Sequence, residues 1–274
     1  MIPKPTLLIR VLKLGVCAPC GVLASLACQA ADDAEDLAKK LSNPVAALIS
    51  VPLQYNYDHH FGSAEQGHKS YVNFQPVVPI SINPDWNMIS RTILPITFSQ
   101  SIPPGESVSG LGDIVQSLFF SPKQPTAAGL IWGAGPVFLL PSGTDSQLSA
   151  RKWGLGPTAV LLKQAGPYTY GILANYIWSV AGSSSRPDVS STFLQPFVSH
   201  TTKDAWTFGL NTESTYDWKS KDWSVPINVT VSKLVKFGDQ HVSLGAGLKY
   251  WADSPDNGPH DFGGRLIVTF LFPK

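Results

Sequence analysis

The chain has 274 residues, 20 of them basic and 19 acidic, and only 14% are charged, against roughly 25% in ordinary soluble domains. No basic run stands out, so nucleic-acid binding has no electrostatic footprint. Thirteen Phe, eight Tyr and eight Trp are what two aromatic belts at membrane interfaces would require, and the length suits one large all-β domain.

The first 30 residues read as a secretory signal. Lys4, Arg10 and Lys13 form its positive region, residues 14–27 are uncharged and mostly apolar, and Cys28-Gln29-Ala30 offers a cut after Ala30. Lipidation at Cys28 is disfavoured by the preceding Ser25-Leu26-Ala27. All three cysteines lie in this segment, so the mature chain has no disulfide, and its stability must come from sheet closure and burial in lipid. Cleavage removes three basic residues and no acidic one, leaving a slightly acidic chain.

Residues 31–44 predict a short periplasmic helix. Asp32 can cap it, Glu35 completes a capping box, Ala34, Leu37, Ala38 and Leu41 share a face, and Pro44 ends it. Two placements fit: resting on the periplasmic mouth of a barrel formed by the rest of the chain, or plugging that barrel.

From residue 45 to 274 the pattern has period 2. Trp223, Val225, Ile227, Val229 and Val231 alternate with Ser224, Pro226, Asn228, Thr230 and Ser232, which gives an extended strand with one apolar and one polar face. Twelve strands are predicted, at about 45–57, 69–82, 86–99, 111–121, 127–141, 152–164, 167–181, 190–201, 204–217, 222–236, 240–251 and 261–272. Short connections, such as Asn83-Pro84-Asp85, Ala165-Gly166 and Thr202-Lys203, alternate with mostly longer ones. That alternation predicts a transmembrane antiparallel up-and-down β-barrel of about twelve strands, with long loops outside the cell and both termini periplasmic. The uncharged stretches 124–144 and 164–185 are long enough for membrane helices, but repeated Pro and Gly break them into strand-sized pieces. Prolines within proposed strands, among them Pro52, Pro95, Pro136, Pro196 and Pro226, call for bends or bulges.

Several segments resemble a family of Gram-negative outer-membrane proteins labelled transporters of the meta-pathway phenol-degradation type, or neuromedin-U-like. They are Asp36-Leu37-Ala38-Lys39-Lys40-Leu41-Ser42-Asn43-Pro44, Ile49-Ser50-Val51-Pro52, Gly110-Leu111-Gly112-Asp113-Ile114 and Trp153-Gly154-Leu155-Gly156-Pro157-Thr158, with Gln195-Pro196-Phe197, Trp223-Ser224-Val225-Pro226-Ile227-Asn228 and the end Thr269-Phe270-Leu271-Phe272-Pro273-Lys274 further along. The resemblance spans most of the mature chain and implies a barrel that moves small, often aromatic molecules. Many barrels of this kind end in an aromatic residue for recognition by the barrel-assembly machinery. Here Pro273 and Lys274 come after Phe272, so that signal is displaced.

Little in the sequence suggests catalysis. His200 and His241 could act as bases, but no Gly-x-Ser-x-Gly elbow is present. Gly110-Leu111-Gly112-Asp113 lacks the subsequent Lys and helix of a phosphate loop. Asp58, His59, His60 and His68 resemble a metal set, but adjacent strand residues point apart, and these read as solvated loop side chains. No cofactor is expected, and an outer-membrane lipid-modifying enzyme is the third-ranked reading.

The inward polar residues are the better candidates. Alternation places Asn73, Gln75, Arg91, Asn175, Asn211, Glu213, Asn228, Thr230, Lys249 and Arg265 on the lumen side. Lysine or arginine facing lipid at midplane costs roughly 2–4 kcal/mol, which favours this orientation. Two roles fit: these groups line a path, or Glu213 pairs with Lys249 or Arg265 to brace a closed interior. A twelve-stranded lumen is narrow. The expected function is passive passage of small apolar or aromatic solutes across a bacterial outer membrane, with lipid around the barrel. The alternative is a structural or surface-binding barrel with a sealed lumen.

Overall fold

The computed structural model describes residues 33–62, 65–101 and 106–273; the predicted signal segment and its cleavage site lie outside them. Fifteen strand segments make twelve staves, because three staves are each broken into two pieces. In chain order they are β1 (Ile49–Phe61), β2 (Gly67–Phe74 and Val77–Ser81), β3 (Trp86–Ser101), β4 (Val108–Leu111 and Ile114–Pro122), β5 (Leu130–Leu140) and β6 (Lys152–Ala165). Then come β7 (Tyr168–Gly182), β8 (Ser190–Thr201), β9 (Trp206–Thr212 and Ser214–Asp217), β10 (Asp222–Phe237), β11 (Gln240–Asp253) and β12 (Asp261–Phe272).

Each stave pairs antiparallel with its sequence neighbours, and β12 returns to β1, with Ile49 opposite Phe272 and Asp58 opposite Gly263. The sheet therefore has no free edge, the condition for crossing lipid with strands. Among the described residues no helix is long and apolar enough to cross a membrane. The first and last staves both meet the end that carries the short turns 166–167 and 238–239.

Some prolines sit at breaks or bulges, as expected, whereas Pro52, Pro136 and Pro196 stay in register without one. Pro76 sits in the gap within β2, Pro226 lies at a bulge, and Pro136 and Pro157 face one another across β5 and β6. The break in β9 falls at Glu213. By register that residue lies opposite Pro226, which has no N–H to offer the ladder.

Apolar residues cover the outer face. Leu53, Ile172, Val229, Leu248 and Leu266 are exposed there while their chain neighbours point inward. Aromatics gather at both rims: Tyr57, Trp178, Trp223, Tyr250 and Phe262 towards the long-loop end, and Tyr168, Trp206, Phe237 and Phe272 towards the short-turn end. Lys233 Nζ lies 5.0 Å from the Trp206 ring centroid at the short-turn rim, where a lysine can reach past the hydrocarbon to water.

The first stave begins at Ile49, four residues later than the alternation suggests. Residues 33–41 form a helix, and the segment after it runs inside the barrel. Leu37 and Ala38 pack on Leu48, Ala205, Leu234 and Leu271 at the short-turn end. Val45 reaches further in, among Ile89, Phe119, Val160, Leu162 and Leu173. Burying such a side chain contributes roughly 1.5–3 kcal/mol relative to exposure, so the segment is anchored by packing. Gln164 Nε2 adds a hydrogen bond to the Lys39 carbonyl at 2.9 Å. The helix itself rests at the short-turn mouth, and the segment after it enters the lumen at Val45.

Candidate functional site in the lumen

Strand parity decides what enters the lumen. On β1 it admits Gln54, Asn56 and Asp58, all buried, while Leu53 and Tyr57 face outward. Register then aligns Asn73 with Gln54, Tyr71 with Asn56 and Lys69 with Asp58. On β12 and β11 the same rule brings in Arg265 and Lys249, and on β9 and β10 Glu213, Asn211, Asn228 and Thr230.

Two ion pairs organise this side. Arg265 donates to Glu213 through both terminal nitrogens, at 3.0 and 2.7 Å, and its Nε donates to Asn56 Oδ1 at 2.8 Å. Lys249 Nζ lies 2.9 and 3.0 Å from the two Asp58 oxygens, and both side chains are 2% exposed. Trp251 Nε1 also donates to Asp58 Oδ1, at 3.1 Å. Lys249 Nζ stands 5.2 Å from the Trp251 ring centroid and 5.8 Å from that of Tyr71. Gly263 makes room for this pair, since a Cβ there would come within 2.5 Å of Asp58 Oδ1.

A second chain of hydrogen bonds crosses towards β3. Arg91 Nη2 donates to Gln75 Oε1 at 3.2 Å, the Gln75 and Gln54 side-chain amides meet at 2.8 Å, and the Gln54 amide oxygen accepts from the Arg265 guanidinium. Asn228 Nδ2 donates to Asn211 Oδ1 at 3.0 Å. Asn175 stands apart, on the inward face of β7 beside Thr158 and Phe193. Thr230 Oγ1 reaches the Gly209 carbonyl at 3.5 Å.

The opposite wall is mostly apolar, with Ser117, Ser121, Thr158 and Thr169 among its buried side chains. Ile89, Phe119, Val137, Val160, Leu162, Leu173 and Ile177 come from β3 to β7 and are all buried. The lumen thus has a charged side, built from β1, β2 and β9 to β12 with Arg91 of β3 at its edge, and a mostly apolar side. Between the charged side and residues 40–48 lies a cavity of about 280 Å³, lined by Gln75, Arg91, Asn211 and Thr230 on one side and by Pro44, Ala46 and Leu48 on another.

Of the ten lumen candidates that the alternation gives, the structure brings Gln75, Arg91, Asn211, Glu213, Asn228, Lys249 and Arg265 into connected groups. It leaves Asn73, Asn175 and Thr230 as separate wall positions. Glu213 selects Arg265, not Lys249. Lys249 takes Asp58, a residue whose sequence context suggests a loop cluster with His59, His60 and His68. β1 runs on to Phe61, so Asp58 is an inward strand residue. His60 bonds Asp261 at 2.8 Å, and His59 and His60 meet edge-on. Among the described residues no His, Cys, Asp or Glu cluster could hold a metal.

Two latches fix the long-loop end. The Asp113 carboxylate accepts from Gly143 N, Ser149 Oγ and Ala150 N at 3.0, 2.7 and 2.7 Å, clamping the loop 141–151. Asp188 accepts from Lys152 Nζ at 2.8 Å and Ser179 Oγ at 3.2 Å. These bonds hold its carboxyl below the usual aspartate range.

This is the fold of an outer-membrane β-barrel. The chain is similar to an outer membrane channel from Pseudomonas putida F1, with a TM-score of 0.64 and 14% identity over 82% of this chain and 96% of that one. It is similar to the NanC porin, with a TM-score of 0.51 and 10% identity over 82% of this chain and 100% of that one. No family model and no curated protein sequence matches it.

Proposed function

We propose that the protein is a bacterial outer-membrane channel for passive passage of small apolar or aromatic solutes. The observation that carries this reading is the two-sided lumen: one wall of buried aliphatic and aromatic side chains faces another of fixed, paired charges. A solute passes through the space between these walls, its apolar body against Ala46, Leu48 and Phe197 and its polar groups towards Gln75, Arg91 and Asn211. The resemblance to the phenol-degradation type of transporter, and the fold shared with a channel and a porin, support the same reading. The ten inward residues line the path, and the segment 33–48 narrows its short-turn end, which faces the periplasm. Residues 1–30 act as the export signal, and the C-terminal Phe270-Leu271-Phe272 engages the assembly machinery.

The packing of Val45 inside the barrel favours a second reading, a sealed structural barrel. Planar-bilayer recording of the refolded chain separates the two. Discrete conductance steps support the channel; a folded protein that passes no current supports the sealed barrel. Cysteine labelling on intact cells tests the orientation: Ser146, Ser184 and Asp256 label, while Asp85, Lys203 and Asp239 do not.

A further inference from the structure

The cavity beneath the charged wall has the chemistry of a binding site. Arg91 lines it, and the guanidinium uses one of its five donors, on Gln75. No described carboxylate pairs with it: Asp58 is held by Lys249, and Glu213 presents both oxygens to Arg265. Ser199, on the same lining, has a buried Oγ with no hydrogen-bond partner. Asn211 accepts from Asn228 and keeps its own amide N–H groups free to donate. Across from these donors the lining is Pro44, Ala46 and Leu48 of the plugging segment, and Phe197 stands beside Asn211 on the wall itself. Arg91 is half-buried and has no carboxylate in contact, so a ligand that supplies the opposite charge is favoured there. A guanidinium matches a carboxylate in two-pronged fashion.

We propose that this chamber is a binding site for a small monoanion with an apolar body, an arylcarboxylate being the simplest form, with its carboxylate on Arg91 and its ring against Phe197 and Leu48. The assignment rests on the channel reading and narrows it to a substrate class. The plugging segment is then one wall of the site, and the Asp58–Lys249 and Glu213–Arg265 pairs keep competing carboxylates off Arg91.

Benzoate and its neutral isostere benzamide are the probes. Titration into detergent-folded full chain, read by ligand-observed NMR, reports binding without any requirement for flux. Saturable binding of benzoate with at least tenfold weaker benzamide binding is expected, along with loss of that preference in Arg91→Gln. Equal binding of the two probes, or a benzoate preference retained in Arg91→Gln, overturns the site. Should Arg91→Gln not fold, the comparison on the native chain still decides, and Ser199→Val should weaken benzoate severalfold. Flux in liposomes reports separately: a chain that binds benzoate but passes no solute keeps the site and loses the channel. One that passes solutes but binds benzoate and benzamide equally keeps the channel and loses the site.

Discussion

Arg265 and Glu213 are 52 residues apart in sequence and meet through two parallel hydrogen bonds, at 3.0 and 2.7 Å. The Arg265 side chain is 4% exposed. The pair ties β12 to the broken stave β9 across the lumen, at the level where Pro226 leaves the ladder incomplete. Glu213→Gln strands the Arg265 charge. Removing one partner of a fully buried pair costs about 3–5 kcal/mol, and the 27% exposure of Glu213 brings the loss towards or below the lower end of that range. Heat or urea unfolding should show that loss, and Glu213→Gln with Arg265→Met together should recover part of it.

The Asp58–Lys249 pair offers a second check, because it shares no hydrogen-bond partner with the first. Lys249→Met should destabilise by a similar amount, and Asp58→Asn on top of it should cost little more. A double-mutant cycle measures the coupling. Additive losses would show that the two side chains do not act as a pair.

The plugging segment predicts a gain of conductance. Val45→Asp places a carboxylate among Ile89, Phe119 and Leu162, where an unpaired charge is costly. The segment should leave the barrel, and single-channel conductance should rise while strand content by circular dichroism stays constant. Leu37→Asp should act in the same direction from the helix.

The Asp188 latch sets a pH dependence at the long-loop end. Its carboxyl titrates below the unfolded aspartate value because Lys152 and Ser179 donate to the charged form. A depressed folded value means the latch is fully present above the ordinary aspartate range, near pH 4, and is lost as pH falls through the lower folded value. A spin label at Ser184 should be immobile at neutral pH and mobile in acid, and Asp188→Asn should be mobile at both.

Much of this architecture is legible in the sequence because the physics is local. Alternation fixes which side chains face inward, and turn residues fix where staves end, so Glu213, Lys249 and Arg265 can be placed without coordinates. Partner choice is not legible, because register between distant staves decides it. β1 stays in regular register through Asp58, opposite Gly263 and Lys69, so the inward parity of Gln54 and Asn56 reaches Asp58. That single extension gives Lys249 a partner and leaves Glu213 to Arg265. Residues 45–48 read as strand for a related reason: an apolar run bound for a lumen and one bound for a sheet have the same composition. Gln54, Asn56, Lys69 and Tyr71 obey the same period-2 rule on β1 and β2 and can be found by extending it there.

The most direct test of passage through this lumen is flux of a small aromatic solute into liposomes holding the refolded native chain. Entry that rises in proportion to protein, falls with solute girth and exceeds that into empty liposomes is the predicted result. A chain with full strand content and cooperative heat unfolding that admits neither ions nor small aromatics would contradict it and leave a sealed barrel.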